Sequence, residues 1–174
     1  MNGRELRMSL ARHNNSMHRT AFRCAPLPPL MLGLIQTREE AHMGKNGDIV
    51  KALYDAFGKG DVPAVLGAFD PGIQWREAEN FLYADDNPYI GPQAVAEGVF
   101  RRIGSDVENF AVLSERFLEG GDTVVVEGRY RGTIKATGTA VDAQFAHVWQ
   151  LRDGKVVRFQ QYTDTKQWAE AASS

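Results

Sequence analysis

The sequence FAHVWQLRDGKVVRFQQYTDT, residues 145–165, decides the fold of this chain. Its two halves alternate apolar and polar residues around Asp153 and Gly154, and an Asp-Gly pair in this setting is a strong signal for a β-hairpin. A two-residue turn there predicts five cross-strand pairs: Leu151 with Val156, Trp149 with Arg158, His147 with Gln160, Phe145 with Tyr162, and Ala143 with Asp164. Because side chains alternate along a strand, these residues are predicted to share one sheet face. That face combines aromatic rings, a histidine and a carboxylate, which is typical of a pocket wall.

The residues upstream of the hairpin predict helices first and long strands afterwards. Apolar residues at helical spacing predict helices at about 47–57, 62–69 and 92–103, and alternation predicts strands at about 73–78, 110–118, 123–134 and 141–151. Consecutive strands with short connections form an antiparallel sheet, and helices gathered before them pack on one of its faces. We therefore predict an α+β fold in which a curved antiparallel sheet wraps around N-terminal helices and encloses an apolar pocket.

Length and composition are those of one globular domain. The chain has 174 residues, of which 43% are hydrophobic and 24% are charged. A net charge of −2 and the lack of a basic stripe argue against nucleic-acid binding. No apolar run approaches the roughly 18 residues that a membrane span requires. Cys24 is the single cysteine, so no disulfide forms within one chain, and we expect a cytoplasmic location.

Residues 1–43 show no sustained helical or strand period, and the prolines of Ala25–Pro29 interrupt any helix there. We expect these residues to be a disordered leader, or to result from a translation start assigned upstream of the true start at Met43. A transit peptide is a less favoured alternative. The domain proper is expected over residues 44–174, where His147 is the single histidine and no acidic residues stand at ligand spacing. We therefore expect no metal and no cofactor.

Several stretches of the sequence resemble one family. They are IVKALYDAFGKGD (49–61), WREAE (75–79), YIGPQAV (89–95), VVVEGRY (124–130), FAHVWQLRDGKV (145–156) and FQQYTDT (159–165). Together they resemble the SnoaL-like branch of the nuclear-transport-factor-2-like superfamily, which includes ketosteroid isomerase-related proteins. The resemblance implies a cone-shaped, cystatin-like α+β barrel with a deep pocket, and a homodimer formed through the outer sheet face. The resemblance is only a weak indicator of the reaction, because the superfamily includes isomerases, cyclases, epoxide hydrolases, dehydratases and proteins without catalysis.

His147 and Asp164 are the first catalytic candidates. The resemblance implies this, because related polyketide cyclases place a histidine of the penultimate strand and an aspartate of the last strand in the pocket. The predicted register separates the two by roughly 13 Å along the strands, so a direct hydrogen bond between them is not expected. Two alternatives stay open: His147 could only satisfy a buried tyrosine or backbone group, and Asp164 could cap the C-terminal helix.

Glu77 is the third catalytic candidate. Alternation places Trp75, Glu77 and Glu79 on one side of a strand, and a carboxylate buried beside an indole needs a partner. An ion pair with Arg129, Arg131 or Arg158 is the alternative to catalysis.

The ligand-binding candidates are the aromatic residues Trp75, Tyr83, Tyr130, Phe145, Trp149 and Tyr162. The sequence does not decide which sheet face Tyr130 takes, because the length of the turn that follows at residues 135–139 leaves the register open by one residue. We expect cofactor-free acid/base chemistry, an isomerisation or an aldol-type cyclisation, on a small hydrophobic carbonyl compound. Asp164 or Glu77 would move the proton, with His147 and tyrosines orienting the carbonyl. The competing hypothesis is a non-catalytic small-molecule-binding or dimeric interaction module.

Overall fold

In a computed structural model, the chain is described over residues 44–173. The leader expected at residues 1–43 lies outside the described residues. The helices are α1 (Lys45–Gly58), α2 (Val62–Gly67), α3 (Pro92–Val95), α4 (Arg101–Asp106) and α5 (Thr165–Ser173). The strands are β1 (Phe69–Arg76), β2 (Tyr89–Ile90), β3 (Val107–Gly120), β4 (Thr123–Ile134), β5 (Ala140–Arg152) and β6 (Lys155–Thr163).

The six strands form one curved, unclosed sheet in the order β2-β1-β6-β5-β4-β3. Strands β3 to β6 are joined as consecutive antiparallel neighbours, as the short turns predict. The α+β fold with a curved sheet is therefore confirmed. Strand β1 pairs with β6 in parallel, so the sheet is mixed where the sequence predicted an antiparallel one. No hairpin joins these two strands, so no turn dictates their relative direction.

Helix α1 shows how the sequence builds the layer over the sheet. Its apolar residues stand at positions i, i+3, i+4 and i+7, which places Val50, Leu53, Tyr54 and Phe57 on one stripe. Val50 and Leu53 are buried in the core, and Tyr54 and Phe57 are half-buried beside it. This stripe positions the tyrosine above the concave face of the sheet.

The β5–β6 hairpin has the predicted turn but a different register. Asp153 and Gly154 both have positive φ, 52° and 77°, as a two-residue hairpin turn requires. Leu151 pairs with Val156 as predicted, and the register then shifts by one residue. The pairs beyond the shift are Gln150 with Arg158, Trp149 with Phe159, His147 with Gln161, and Phe145 with Thr163.

The register shift is a bulge in β6, and it inverts the predicted inward face of that strand. The inverted face buries Phe159 and Gln161 and leaves Arg158 and Tyr162 exposed. A bulge at this point stabilises the fold, because the uncorrected register would place the Arg158 guanidinium against the core. The predicted homodimer through the outer sheet face, where Tyr162 lies, stays a prediction.

The segment 80–91 is held against the helical residues that follow it. Tyr89 Oη donates a hydrogen bond to the Tyr83 carbonyl at 2.7 Å. Arg102 lies with its guanidinium carbon 4.9 Å from the centroid of the Tyr83 ring and donates to Asp85 at 2.6 Å. The Tyr89 ring itself lies directly over Gly98, so a Cβ atom at that position would overlap the ring.

We predict that Gly98→Ala lowers the free energy of unfolding by about 1–3 kcal/mol, because the buried Tyr89 ring has to move. Gly104→Ala is the matched control, since a Cβ atom there meets nothing within 4 Å in the same helical segment. The control is expected to leave stability unchanged or to raise it by up to about 1 kcal/mol. Urea denaturation of both variants measures the difference, and equal stabilities would contradict this packing.

Candidate functional site

A cavity of about 60 Å³ lies between the helices and the concave face of the sheet. At the roughly 30 Å³ that a water molecule occupies in the liquid, this volume corresponds to about two water molecules, so a larger ligand requires side chains to move. Its polar lining residues are Tyr54, Glu77, Tyr130, His147 and Gln161. The remaining lining residues are Leu53, Phe57, Val65, Trp75, Val99, Phe100, Ile103, Phe110, Val112, Trp149 and Phe159. Within the described part of the chain, no lysine or arginine lines this cavity.

Half-buried phenylalanines stand at the border of the cavity. The Phe57 ring lies 5.4 Å from the Phe100 ring and 6.3 Å from the Phe110 ring, centroid to centroid, both edge to face. A π-helical turn, Ala96–Phe100, connects α3 to α4 and brings both Val99 and Phe100 to the cavity. Such turns are rare in proteins overall, and those that occur are often found at functional sites.

Glu77, just beyond β1, places a carboxyl group in this apolar surrounding. The residue is only 2% exposed, and its Oε1 accepts a hydrogen bond of 2.6 Å from Trp75 Nε1. Its Oε2 is buried and has no hydrogen-bond partner among residues 44–173. Burial raises the pKa of Glu77 to about 7, and the Trp75 N–H opposes this rise only in part. The carboxyl group can therefore both take up and release a proton near neutral pH.

His147 joins two tyrosines in the wall of the same cavity. Its Nδ1 lies 2.6 Å from Tyr54 Oη, and its Nε2 contacts Tyr130 Oη. Burial lowers the pKa of His147 to about 3, so the imidazole is neutral at physiological pH. Burial also raises the pKa values of Tyr54 and Tyr130, so both phenols keep their protons.

Both tyrosine hydroxyls are held in place by a further donor. Trp149 Nε1 donates to Tyr54 Oη at 3.1 Å, and Gln161 Nε2 donates to Tyr130 Oη at 2.9 Å. The Gln161 Oε1 accepts from the backbone N–H of Ala78 at 3.1 Å, which fixes the orientation of the amide. Since Ala78 follows Glu77, Gln161 connects the tyrosine–histidine chain to the end of β1.

The structure places five of the predicted site residues in the cavity wall. These are Trp75, Glu77, Tyr130, His147 and Trp149. Their catalytic and binding roles stay predictions. Among the described residues Glu77 forms no ion pair, and Arg129, one of its suggested partners, binds Asp142 at 2.6 Å instead. The alternative in which His147 hydrogen-bonds a buried tyrosine agrees with its observed contacts.

Tyr162 and Asp164 do not line the cavity, and their predicted positions were wrong. Tyr162 is 56% exposed, because the bulge in β6 turns it to the outer face of the sheet. Asp164 is exposed, and its Oδ1 accepts from the Gln167 backbone N–H at 3.1 Å. It therefore caps α5, which is the alternative that the sequence left open.

Phe145 and Tyr83 are buried next to the site but outside the cavity lining. The Phe145 ring stacks on His147 at 4.0 Å between centroids and supports the imidazole from behind. Tyr83 belongs to the segment before α3, and its hydroxyl donates to Asp106 at 3.2 Å. Neither residue lines the cavity that holds Glu77 and His147.

Among the cavity residues missed from the sequence are Tyr54, Phe159 and Gln161. Tyr54 follows the apolar stripe of α1 and was counted as core. The other two residues were predicted to lie on the outer face of the sheet, because the bulge in β6 was not predicted. The signal that could have found them is Arg158, whose charge is costly to bury and therefore points outward.

The raised pKa of Glu77 predicts a pH-dependent stability. The unfolded chain ionises this carboxyl near pH 4.5 and the folded chain near pH 7, so the folded state binds more protons between these values. The contribution of the protonated Glu77 carboxyl to the free energy of unfolding is complete below pH 4.5 and is lost as the pH rises to about 7. We therefore expect the wild type to lose about 3 kcal/mol over this range relative to Glu77→Gln.

Urea denaturation of the wild type and Glu77→Gln at several pH values between 4 and 8 measures this difference. Glu79→Gln removes an exposed charge two residues away and serves as the control. A constant stability difference between wild type and Glu77→Gln would contradict the raised pKa.

Two further properties of residues 44–173 bear on the class of site. No group of three or more His, Cys, Asp or Glu side chains in this range is placed to hold a metal ion. No helix in it is long and apolar enough to cross a membrane.

Comparison with known proteins gives the family. The sequence-family model of the SnoaL-like domain matches residues 50–159. A comparison with curated proteins finds no match. An NTF2-like protein from Burkholderia thailandensis is 33% identical, covers 76% of this chain and 99% of its own, and superposes with a TM-score of 0.71.

Two more solved structures are similar over nearly the same range. An NTF2-like protein of unknown function from Burkholderia pseudomallei is 26% identical, with coverage of 76% of this chain and 100% of its own and a TM-score of 0.70. TerC, co-crystallized with polyporic acid, is 26% identical, with coverage of 75% and 100% and a TM-score of 0.68. The matched family model and the fold agree, and the chain belongs to the SnoaL-like domain family of the NTF2-like superfamily.

Proposed function

We propose that this chain is a cofactor-free acid/base enzyme that moves a proton on a small, neutral carbonyl compound, in an isomerase or cyclase type of reaction. The observation that carries the proposal is the buried Oε2 of Glu77, which has no partner in the described residues and lines an apolar cavity. A carboxyl group with a pKa of about 7 is matched to proton transfer at neutral pH.

The proposed reaction begins with ionised Glu77 as general base. Its Oε2 removes a proton from the carbon next to the carbonyl group, and the electrons of that C–H bond move toward the carbonyl oxygen. A phenol O–H from the Tyr54–His147–Tyr130 chain stabilises the enolate oxygen that forms. Protonated Glu77 then returns the proton to the same or another carbon. In a cyclisation the enolate carbon instead attacks a second carbonyl carbon, the π electrons of that C=O bond move to its oxygen, and protonated Glu77 gives its proton to that oxygen.

The surroundings of the carboxyl group support this chemistry. The lining is almost entirely apolar, so the polar groups of the cavity act on a bound carbonyl compound with little screening by solvent. The Trp75 N–H holds one carboxyl oxygen and leaves the other toward the ligand. The similar protein TerC, co-crystallized with polyporic acid, also favours a small organic compound as the ligand.

Hydrogen–deuterium exchange next to a carbonyl group tests the proposal without knowledge of the natural substrate. The protein is incubated in D₂O with a panel of small ketones, enones and lactones, and NMR follows the loss of the proton signal. Glu77→Gln is expected to reduce the catalysed exchange at least about 100-fold, because it removes the base. The wild-type rate should rise with pH up to about 7 and then level off, as Glu77 ionises.

Asp164→Asn is the matched control, because it neutralises the exposed carboxylate that caps α5. It is expected to leave the exchange rate unchanged. Exchange that survives in Glu77→Gln would overturn the proposed base. Ligands that raise the melting temperature without any exchange would instead establish the competing hypothesis of a binding module.

A further inference from the structure

The chain of hydrogen bonds through His147 can be counted hydrogen by hydrogen. Tyr54 Oη, the neutral imidazole and Tyr130 Oη carry one N–H or O–H hydrogen each. They form two contacts with one another, one at Nδ1 and one at Nε2. Each contact uses one hydrogen, so one of the three hydrogens is left over. Either ring nitrogen can be the donor, and the tautomer decides where the spare hydrogen lies.

The two tautomers place the spare hydrogen on different tyrosines. When Nδ1 carries the proton, it donates to Tyr54, and Tyr130 donates to Nε2, so the Tyr54 hydrogen is free. When Nε2 carries the proton, it donates to Tyr130, and Tyr54 donates to Nδ1, so the Tyr130 hydrogen is free.

The outer partners cannot take up the spare hydrogen. Trp149 Nε1 is only a donor, and Gln161 presents its NH₂ group to Tyr130 because its Oε1 accepts from Ala78. A free phenol hydrogen therefore has no acceptor in this chain of contacts. Tyr54 and Tyr130 both line the cavity, so a ligand bound there can supply the missing acceptor.

We propose that His147 is a positioning residue that couples Tyr54 and Tyr130, so that the site offers one phenol hydrogen at a time and the ligand's acceptor oxygen selects the tautomer. The inference rests on the proposed function for the location of the ligand, and it narrows the ligand class. One donor without a neighbouring cation suits the oxygen of a neutral ketone, enone or lactone. A carboxylate or phosphate ligand would bring a full charge into an apolar cavity that holds no lysine or arginine among the described lining residues.

The tautomer of His147 can be measured directly by long-range ¹H–¹⁵N NMR, because protonated and unprotonated ring nitrogens have distinct chemical shifts. The full chain contains four histidines, and the spectrum of His147→Gln identifies the signals of His147 by their absence. Two probes of equal shape are compared: cyclopentanone, which has an acceptor oxygen, and methylenecyclopentane, which has none.

Cyclopentanone is expected to change the ratio of the two His147 tautomers by about two- to tenfold, the equilibrium effect of one hydrogen bond. Methylenecyclopentane should leave the ratio unchanged, and sodium acetate should not bind. An equal response to cyclopentanone and its hydrocarbon analogue would overturn the coupling. So would a doubly protonated His147 at pH 7, and failure of cyclopentanone to shift any cavity signal would overturn the ligand class.

The same spectra in Glu77→Gln separate this inference from the proposed function. The tautomer response is expected to persist in that variant even though the proton exchange is lost. A response that persists while Glu77→Gln still catalyses exchange would refute the proposed base and leave the coupling intact. If Glu77→Gln abolishes the exchange but cyclopentanone leaves the His147 tautomer ratio unchanged, only the coupling is refuted.

Discussion

The hydrogen bond from Trp75 Nε1 to Glu77 Oε1 is the one interaction on which the site depends. Alternation that continues from β1 into the residue after it brings both side chains to the concave face, where the indole supplies one donor and a large apolar surface. One donor does not replace the hydration of a carboxylate, so burial raises the pKa of Glu77 to about 7. The second oxygen has no hydrogen-bond partner among the described residues and is the reactive group in the proposed function.

Burial acts in opposite directions on the two titratable groups that matter most. It raises the pKa of Glu77 and lowers that of His147, and in both cases it favours the uncharged form. Below about pH 7 the cavity therefore carries little charge, and its polarity comes from oriented hydrogen bonds. Phe145 stacks on the imidazole and Gln161 holds Tyr130, so these donors are already oriented before a ligand enters.

Much of the fold followed from local sequence signals, whereas part of the site did not. The Asp153-Gly154 turn and the alternation of β5 predicted the inward positions of His147 and Trp149, and alternation also predicted Trp75 and Glu77. The bulge in β6 has a weaker local signal, the charge of Arg158, which is costly to bury. It depends on the packing of Phe159 against the core, a long-range contact, and a single inserted residue inverts every position after it. For this reason Gln161 was missed, and Tyr162 was assigned to the wrong face.

The central claim is that the carboxyl group of Glu77 is held protonated by the cavity until about pH 7. The most direct measurement is a ¹³C NMR titration of the Glu77 side-chain carboxyl in labelled protein, with the signal assigned from the spectrum of Glu77→Gln. A midpoint near pH 7 is the expected result. A midpoint at or below 4.5, the ordinary value for glutamate, would contradict the claim and remove Glu77 as the base.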